Sequence, residues 1–244
     1  MERHRTMIRT LLGLLLALAL SPVRAQAAPP VDGILVIPGL IDYTTATSTA
    51  GCTVGLRGCI VSASFNGVTS VSVTPGSSLG QPPYPAPLNI DLYDSGSNGT
   101  LVCSAAVISG ITSTGKAASE TVSSLTESGK TTANAWKRVQ RVHATGCSGG
   151  GASDVLRVSV GDRKVGLPVH VDATDFGSSS NTTGTGITQV CYRASGAAWR
   201  CTDGSDSNIT RTGDYITLGS VSLSSVGITD GASLMIMARG YPGK

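Results

Sequence analysis

Apolar residues recur at every second position along much of this chain. In "LNIDLY", Leu88, Ile90 and Leu92 fall on one side and Asn89, Asp91 and Tyr93 on the other. A period of two marks a strand with one buried face. A turn over residues 94–99 and the apolar return "LVCSAAVI" predict a hairpin. A second hairpin is predicted from "VLRVSVGDRKVGLPVHV". Leu156, Val158 and Val160 share one face, Gly161-Asp162 turns the chain, and Val165, Leu167, Val169 and Val171 alternate back. "LMIM" (234–237) is apolar without interruption, as in a strand buried on both faces. Asn66-Gly67, between "IVSASF" and "VTSVSV", signals a type I′ turn. A two-residue loop there sets Val71 and Val73 opposite Ser62 and Ile60, which leaves mixed faces, so the turn is better specified than the register. "ANAWKRVQRVHA" breaks the pattern: Trp136, Val139 and Val142 recur every third residue, which fits a short helix as well as a strand.

Short β-rich runs between Gly, Asn, Asp and Pro clusters dominate, and clear amphipathic helices are missing. The expected fold is all-β: an antiparallel β-sandwich architecture, as two small sandwiches stabilised by disulfides. The expected division is 1–27 signal peptide, 28–50 N-terminal segment, 51–110 first β domain, 111–133 linker or edge strands, and 134–244 second β domain. The boundary rests on the Ser, Thr, Ala and Gly bias of "SGITSTGKAASETVSSLTESGKTTANA".

The N-terminus changes the reading of charge. Arg3, His4, Arg5 and Arg9 precede the apolar "LLGLLLALAL", and Ala25-Gln26-Ala27 is a small-x-small cleavage site. This is the pattern of a cleaved signal peptide, with a mature chain beginning at Ala28 and a secreted or periplasmic location. The apolar run is short for a bilayer span, and no membrane span is expected after cleavage. Of 18 Lys and Arg, four lie in residues 1–27, and of 15 Asp and Glu, one does, leaving 14 of each sign in the mature part. A formally neutral protein gives no overall electrostatic case for nucleic acid.

All six cysteines, Cys52, Cys59, Cys103, Cys147, Cys191 and Cys201, follow the cleavage site. In an exported chain this count predicts three disulfides. "CYRASGAAWRC" is centred on Gly196; a three-residue loop pairs Arg193 with Trp199, Tyr192 with Arg200 and Cys191 with Cys201. Opposed residues of an antiparallel pair lie within disulfide reach. Cys52 and Cys59 enclose "TVGLRG" and are expected to pair locally, which leaves Cys103 with Cys147 by elimination. The hairpin also sets Arg193 over the Trp199 indole as a cation–π pair. Tyr192, Arg193 and Trp199 are the candidate ligand-binding residues. The preferred alternative packs the tryptophan against its disulfide inside a core.

The disulfides and short strands resemble immunoglobulin-like sandwiches in architecture. The Cys…Trp…Cys spacing usual in that family is absent, and nothing further is carried over.

"GCSGG" (146–150) matches the G-x-S-x-G pattern of a nucleophile elbow, but so does "GSSLG" (76–80), in a chain with 31 glycines. A true elbow joins a strand to a helix. Ser148 is followed by glycines and the strand-like "VLRVSV", and Ser78 by "LGQPPYPAP", so neither fits. His143 stands five residues before Ser148, and His170 alternates with Val169 and Val171 as a solvated strand residue. Zinc would need more convergent ligands than His143 and Cys147. For calcium, "CTDGSDSN" offers Asp203, Asp206 and Asn208, and "DATDFG" offers Asp172 and Asp175, yet the spacing is not an EF-hand and suits turns. Asn98, Asn181 and Asn208 lie in N-x-S/T sequons. The reading is a secreted, non-catalytic protein for adhesion, surface structure or ligand binding. No cofactor or metal is expected, and the partner is a protein or glycan. A serine hydrolase and a carbohydrate- or calcium-binding module are the alternatives.

Overall fold

A computed structural model describes residues 30–37, 59–74, 79–96, 100–161, 164–171, 186–193, 197–202, 209–212, 214–218 and 233–241. Fourteen strands and no helix are found among them. They are β1 (Val31–Ile37), β2 (Cys59–Ser64), β3 (Ser70–Val73), β4 (Ala86–Tyr93), β5 (Val102–Thr112), β6 (Ala117–Leu125) and β7 (Lys130–Ser148). β8 (Val155–Val160), β9 (Lys164–Gly166), β10 (Gly186–Arg193), β11 (Arg200–Thr202), β12 (Ile209–Thr212), β13 (Tyr215–Leu218) and β14 (Ser233–Gly240) follow. All recorded strand pairings are antiparallel.

The largest sheet has the order β2-β8-β4-β7-β5-β6, with β3 also on β7. It is a curled half-barrel, and β7 explains the curl. Its first part pairs with β4, where Trp136 faces Ala86. Its later part pairs on that same edge with β3, where Val142 faces Val73. β5 runs along the other edge. One 19-residue strand thus carries two different neighbours on one side.

Two bulges in β7 resolve the three-residue spacing. Opposite β5 the register steps from Ser109–Arg141 to Gly110–Val139, and from Ile111–Arg138 to Thr112–Trp136. Gln140 and Lys137 are therefore extra residues. Each insertion flips the side-chain parity of a strand. Trp136, Val139 and Val142 all point inward as a result, each fully buried. The fit to a helix came from a strand with an added residue in each repeat. Gly110 faces the bulge because a Cβ there would come within 2.1 Å of the Arg138 carbonyl oxygen.

The expected faces hold while some expected hairpins do not. Leu88, Ile90 and Leu92 are buried and their alternates half-buried. However, β4 pairs with β7 and β8, not with β5. β9 likewise pairs with β13, not with β8. Alternation fixes which side of a strand is buried, but not which strand lies beside it. The Asn66-Gly67 turn forms, with φ of 37° and 74° and a 2.7 Å hydrogen bond from the Val68 N–H to the Phe65 carbonyl. Beyond it β2 joins β8 and β3 joins β7, so the expected β2–β3 ladder gives way to a splayed corner. In β14, Leu234 and Ile236 are buried while Met235 and Met237 are half-buried, so "LMIM" is buried on one face rather than two.

Residues 111–133 hold the end of β5, edge strand β6 and the start of β7. Strands before and after this stretch share the large sheet. The remaining sheets are β1-β14-β10-β11 and β12-β13-β9. One hydrophobic cluster contains Trp136 and Leu88 of the large sheet, Tyr192 and Ile236 of the four-stranded sheet, and Ile216 of the three-stranded sheet.

Candidate functional site

β10 and β11 pair in the register read from the sequence, with Cys191 opposite Cys201 and Tyr192 opposite Arg200. The Cys191–Cys201 disulfide closes the pair. The Arg193 guanidinium lies 5.0 Å from the Trp199 ring centroid. Trp199 is 38% exposed, so it is not the core tryptophan that the preferred alternative required. Tyr192 is buried and belongs to the core cluster, which reduces the ligand-facing set to Arg193 and Trp199.

The register places these residues on a larger surface. One row across the sheet reads Val36, Met235, Cys191 and Cys201. Two residues along, a parallel row reads Ile34, Met237 and Gln189. The intervening row, Leu35, Ile236 and Val190, points to the core. At the usual strand spacing the outer face is about 14 Å across. It exposes Ile34 at 63% and Val36 at 54% on edge strand β1, and the Trp199–Arg193 pair lies toward the other edge, at β10 and β11. The sequence reading missed Ile34 and Val36, because "ILVI" gives no sign of which face another layer will cover.

Ser148 and His143 stay apart. Ser148 ends β7 and is exposed, with a loop and then β8 after it, so the strand-to-helix elbow does not form there. His143 lies on the same strand, about 16 Å away by extended rise. Its Nδ1 is buried without a hydrogen-bond partner. His170 pairs its backbone with Tyr241 and brings Nδ1 to 2.5 Å from Asp214 Oδ1, so it is an anchored residue and not merely a solvated one. Cys103 pairs with Cys147 across β5 and β7, and Cys59 is also disulfide-bonded. Cys52, Ser78, the calcium candidates Asp172, Asp175, Asp203, Asp206 and Asn208, the sequon residues Asn98 and Asn181, and the signal segment lie outside the described residues. Among the described residues no group of three or more His, Cys, Asp or Glu is placed to hold a metal ion.

Two polar clusters pin the loops of the large sheet. The buried Asp154 carboxylate accepts hydrogen bonds from Gly151 N (2.5 Å), Ser95 N (2.9 Å) and Ser95 Oγ (2.8 Å). The Gly151 and Ser95 N–H groups hold its pKa below the usual carboxylate value, against the opposing effect of burial, and the Ser95 hydroxyl adds to the lowering. On β6, Glu120 accepts from Ala133 N, Asn134 N and Asn134 Nδ2 at 2.6–2.9 Å, where β7 departs from its register with β4.

The solvent side of bulged β7 carries Lys137, Arg138, Gln140 and Arg141, all exposed. Between the β4 and β3 pairings, the Gln81 amide takes the place of a neighbouring strand. It donates to the Val139 carbonyl and accepts from the Val139 N–H, both at 2.9 Å. An open cavity of about 590 Å³ there is lined by Gln81, Ile111, Gly115, Lys137 and Arg138. Only the bulges turn two consecutive cations to one side, so sequence alternation gave no warning of this cluster.

Comparison with protein-family models, curated proteins and solved structures gives no match to this chain.

Proposed function

We propose that this is an exported, non-catalytic β-sandwich protein that binds a partner protein through the outer face of the four-stranded sheet. In this reading the curled large sheet is one layer and the smaller sheets form the other. The observation that carries it is the exposed Trp199, stacked by Arg193 on a disulfide-closed strand pair at one edge of the sheet, with exposed Ile34 and Val36 on the opposite edge strand β1. Tryptophan, arginine and methionine are the residues that concentrate in protein interfaces. The disulfide limits the conformational freedom that binding would otherwise remove. The Cys103–Cys147 and Cys191–Cys201 disulfides are consistent with an oxidising exterior. Among the described residues no helix is long and apolar enough to cross a membrane.

The test is site-specific photo-crosslinking in the producing cell. A benzophenone side chain at position 199 is expected to give a discrete protein adduct that the same probe at exposed Glu127 does not. Equal adducts at both positions would sink the proposal. A glycan array provides a separate arm: binding that disappears in Trp199→Ala would replace the protein partner by a glycan on the same face.

A further inference from the structure

We infer that the bulged segment of β7 is a binding site for an oxyanion, the carboxylate, sulfate or phosphate of a small ligand. The inference is independent of the proposed protein-binding face, because it concerns the large sheet.

The argument begins with the backbone. A regular strand turns alternate residues to opposite faces, so adjacent cations cannot both line one surface. The insertions at Lys137 and Gln140 turn Lys137, Arg138 and Arg141 outward together within five residues. Like charges this close repel one another. Yet among the described residues no carboxylate forms an ion pair with any of the three, although Arg157 is paired with Asp91 elsewhere on the same sheet. Arg141 donates only to Ser72 Oγ, at 3.2 Å. The nearby Glu120 carboxylate is committed to the backbone of residues 133 and 134.

The cations also stand at an open surface depression. Lys137 and Arg138 line the 590 Å³ space together with the apolar Ile111 and the Gln81 amide. A Cβ built at Gly115 would meet nothing within 4 Å, so the mouth is open at that side. Both hydrogen bonds of the Gln81 amide to Val139 hold the bulge in shape. An ammonium and a guanidinium beside an apolar wall suit an anionic group carried on a compact body. The anion would offset the repulsion that the protein leaves uncompensated.

The experiment is an amide-resonance titration of the full mature protein with three probes: sodium sulfate, galacturonate and glucose 6-sulfate. At least one probe is expected to produce saturable shifts centred on Gly115, Lys137 and Arg138, weakening as sodium chloride is added. The Lys137→Gln/Arg138→Gln double variant is expected to weaken that binding by at least about tenfold. Its melting temperature should stay unchanged, because both side chains are exposed. Sulfate binding as tightly as the sugar anions identifies a free inorganic ion as the ligand; markedly tighter sugar-anion binding identifies a glycan-borne group. No saturable shifts with any probe would overturn the inference. So would shifts centred elsewhere, or equal binding by the double variant.

Discussion

Trp136 is fully buried, yet its indole N–H has no hydrogen-bond partner. Its contribution is therefore volume and apolar surface, offset by one unpaired donor. Trp136→Ala is expected to cost about 3 to 5 kcal/mol through the cavity it leaves. Trp136→Phe removes the unpaired donor with part of the ring and should stay within about 1 kcal/mol of wild type. Urea unfolding checks both; a phenylalanine variant as damaged as the alanine variant would show that the indole N–H is in fact satisfied. Asp154 gives a pH-dependent counterpart. Its folded pKa is lowered by the Gly151 and Ser95 donors. Such a group contributes stability above its unfolded pKa of about 4 and loses it as pH falls through the lower folded value. The protein should therefore lose stability below about pH 4, and Asp154→Asn should be less stable at pH 7 with a flatter acid limb. Urea midpoints at pH 7 and pH 3 measure this; an acid limb unchanged in the variant refutes it.

Strand β7 shows how an element acquires a shape that no single residue carries. Its bulges need extra residues on one strand and room on the other. Gly110 provides the room, because a Cβ would lie 2.1 Å from the Arg138 oxygen. Gly110→Ala is thus expected to destabilise the protein by at least about 2 kcal/mol by forcing β5 and β7 apart. Hydrogen exchange should report the damage at Val139 and Arg141 first. If the variant retains wild-type stability and exchange, the bulge is not fixed by this contact. The Cys103–Cys147 disulfide joins the same two strands and closes a 44-residue separation. Chain entropy alone assigns such a closure about 4 kcal/mol.

At the scale of the molecule, the large sheet takes strands from both sides of residues 111–133, and one hydrophobic cluster reaches all three sheets. Sheets that share one core unfold together when the core of one cannot persist without the other. A calorimetric scan of the mature protein is expected to show one transition, with equal calorimetric and van't Hoff enthalpies. Two resolved transitions would instead separate the region into independently folding parts. Edge strand β6 tests the same point by proteolysis: its backbone pairs with β5 from Ala117 to Leu125, so cleavage there should be slow in the native state.

The chain determined by itself whatever depends on neighbours in sequence. Alternation placed Leu88, Ile90 and Leu92 inward, Asn66-Gly67 formed the turn, and the spacing around Gly196 placed Cys191 opposite Cys201. Each follows from backbone geometry over a few residues. Tertiary structure decided what depends on distant partners. β4 and β5 were read as neighbours, yet β7 lies between them, because alternation names a buried face without naming the strand beside it. The exposure of Trp199, the burial of Tyr192 and the apolar face around Ile34 depend on which faces the packing of the sheets covers. The cation cluster at Lys137 and Arg138 depends on bulges that exist only because β5 runs alongside β7 with one residue fewer at each step.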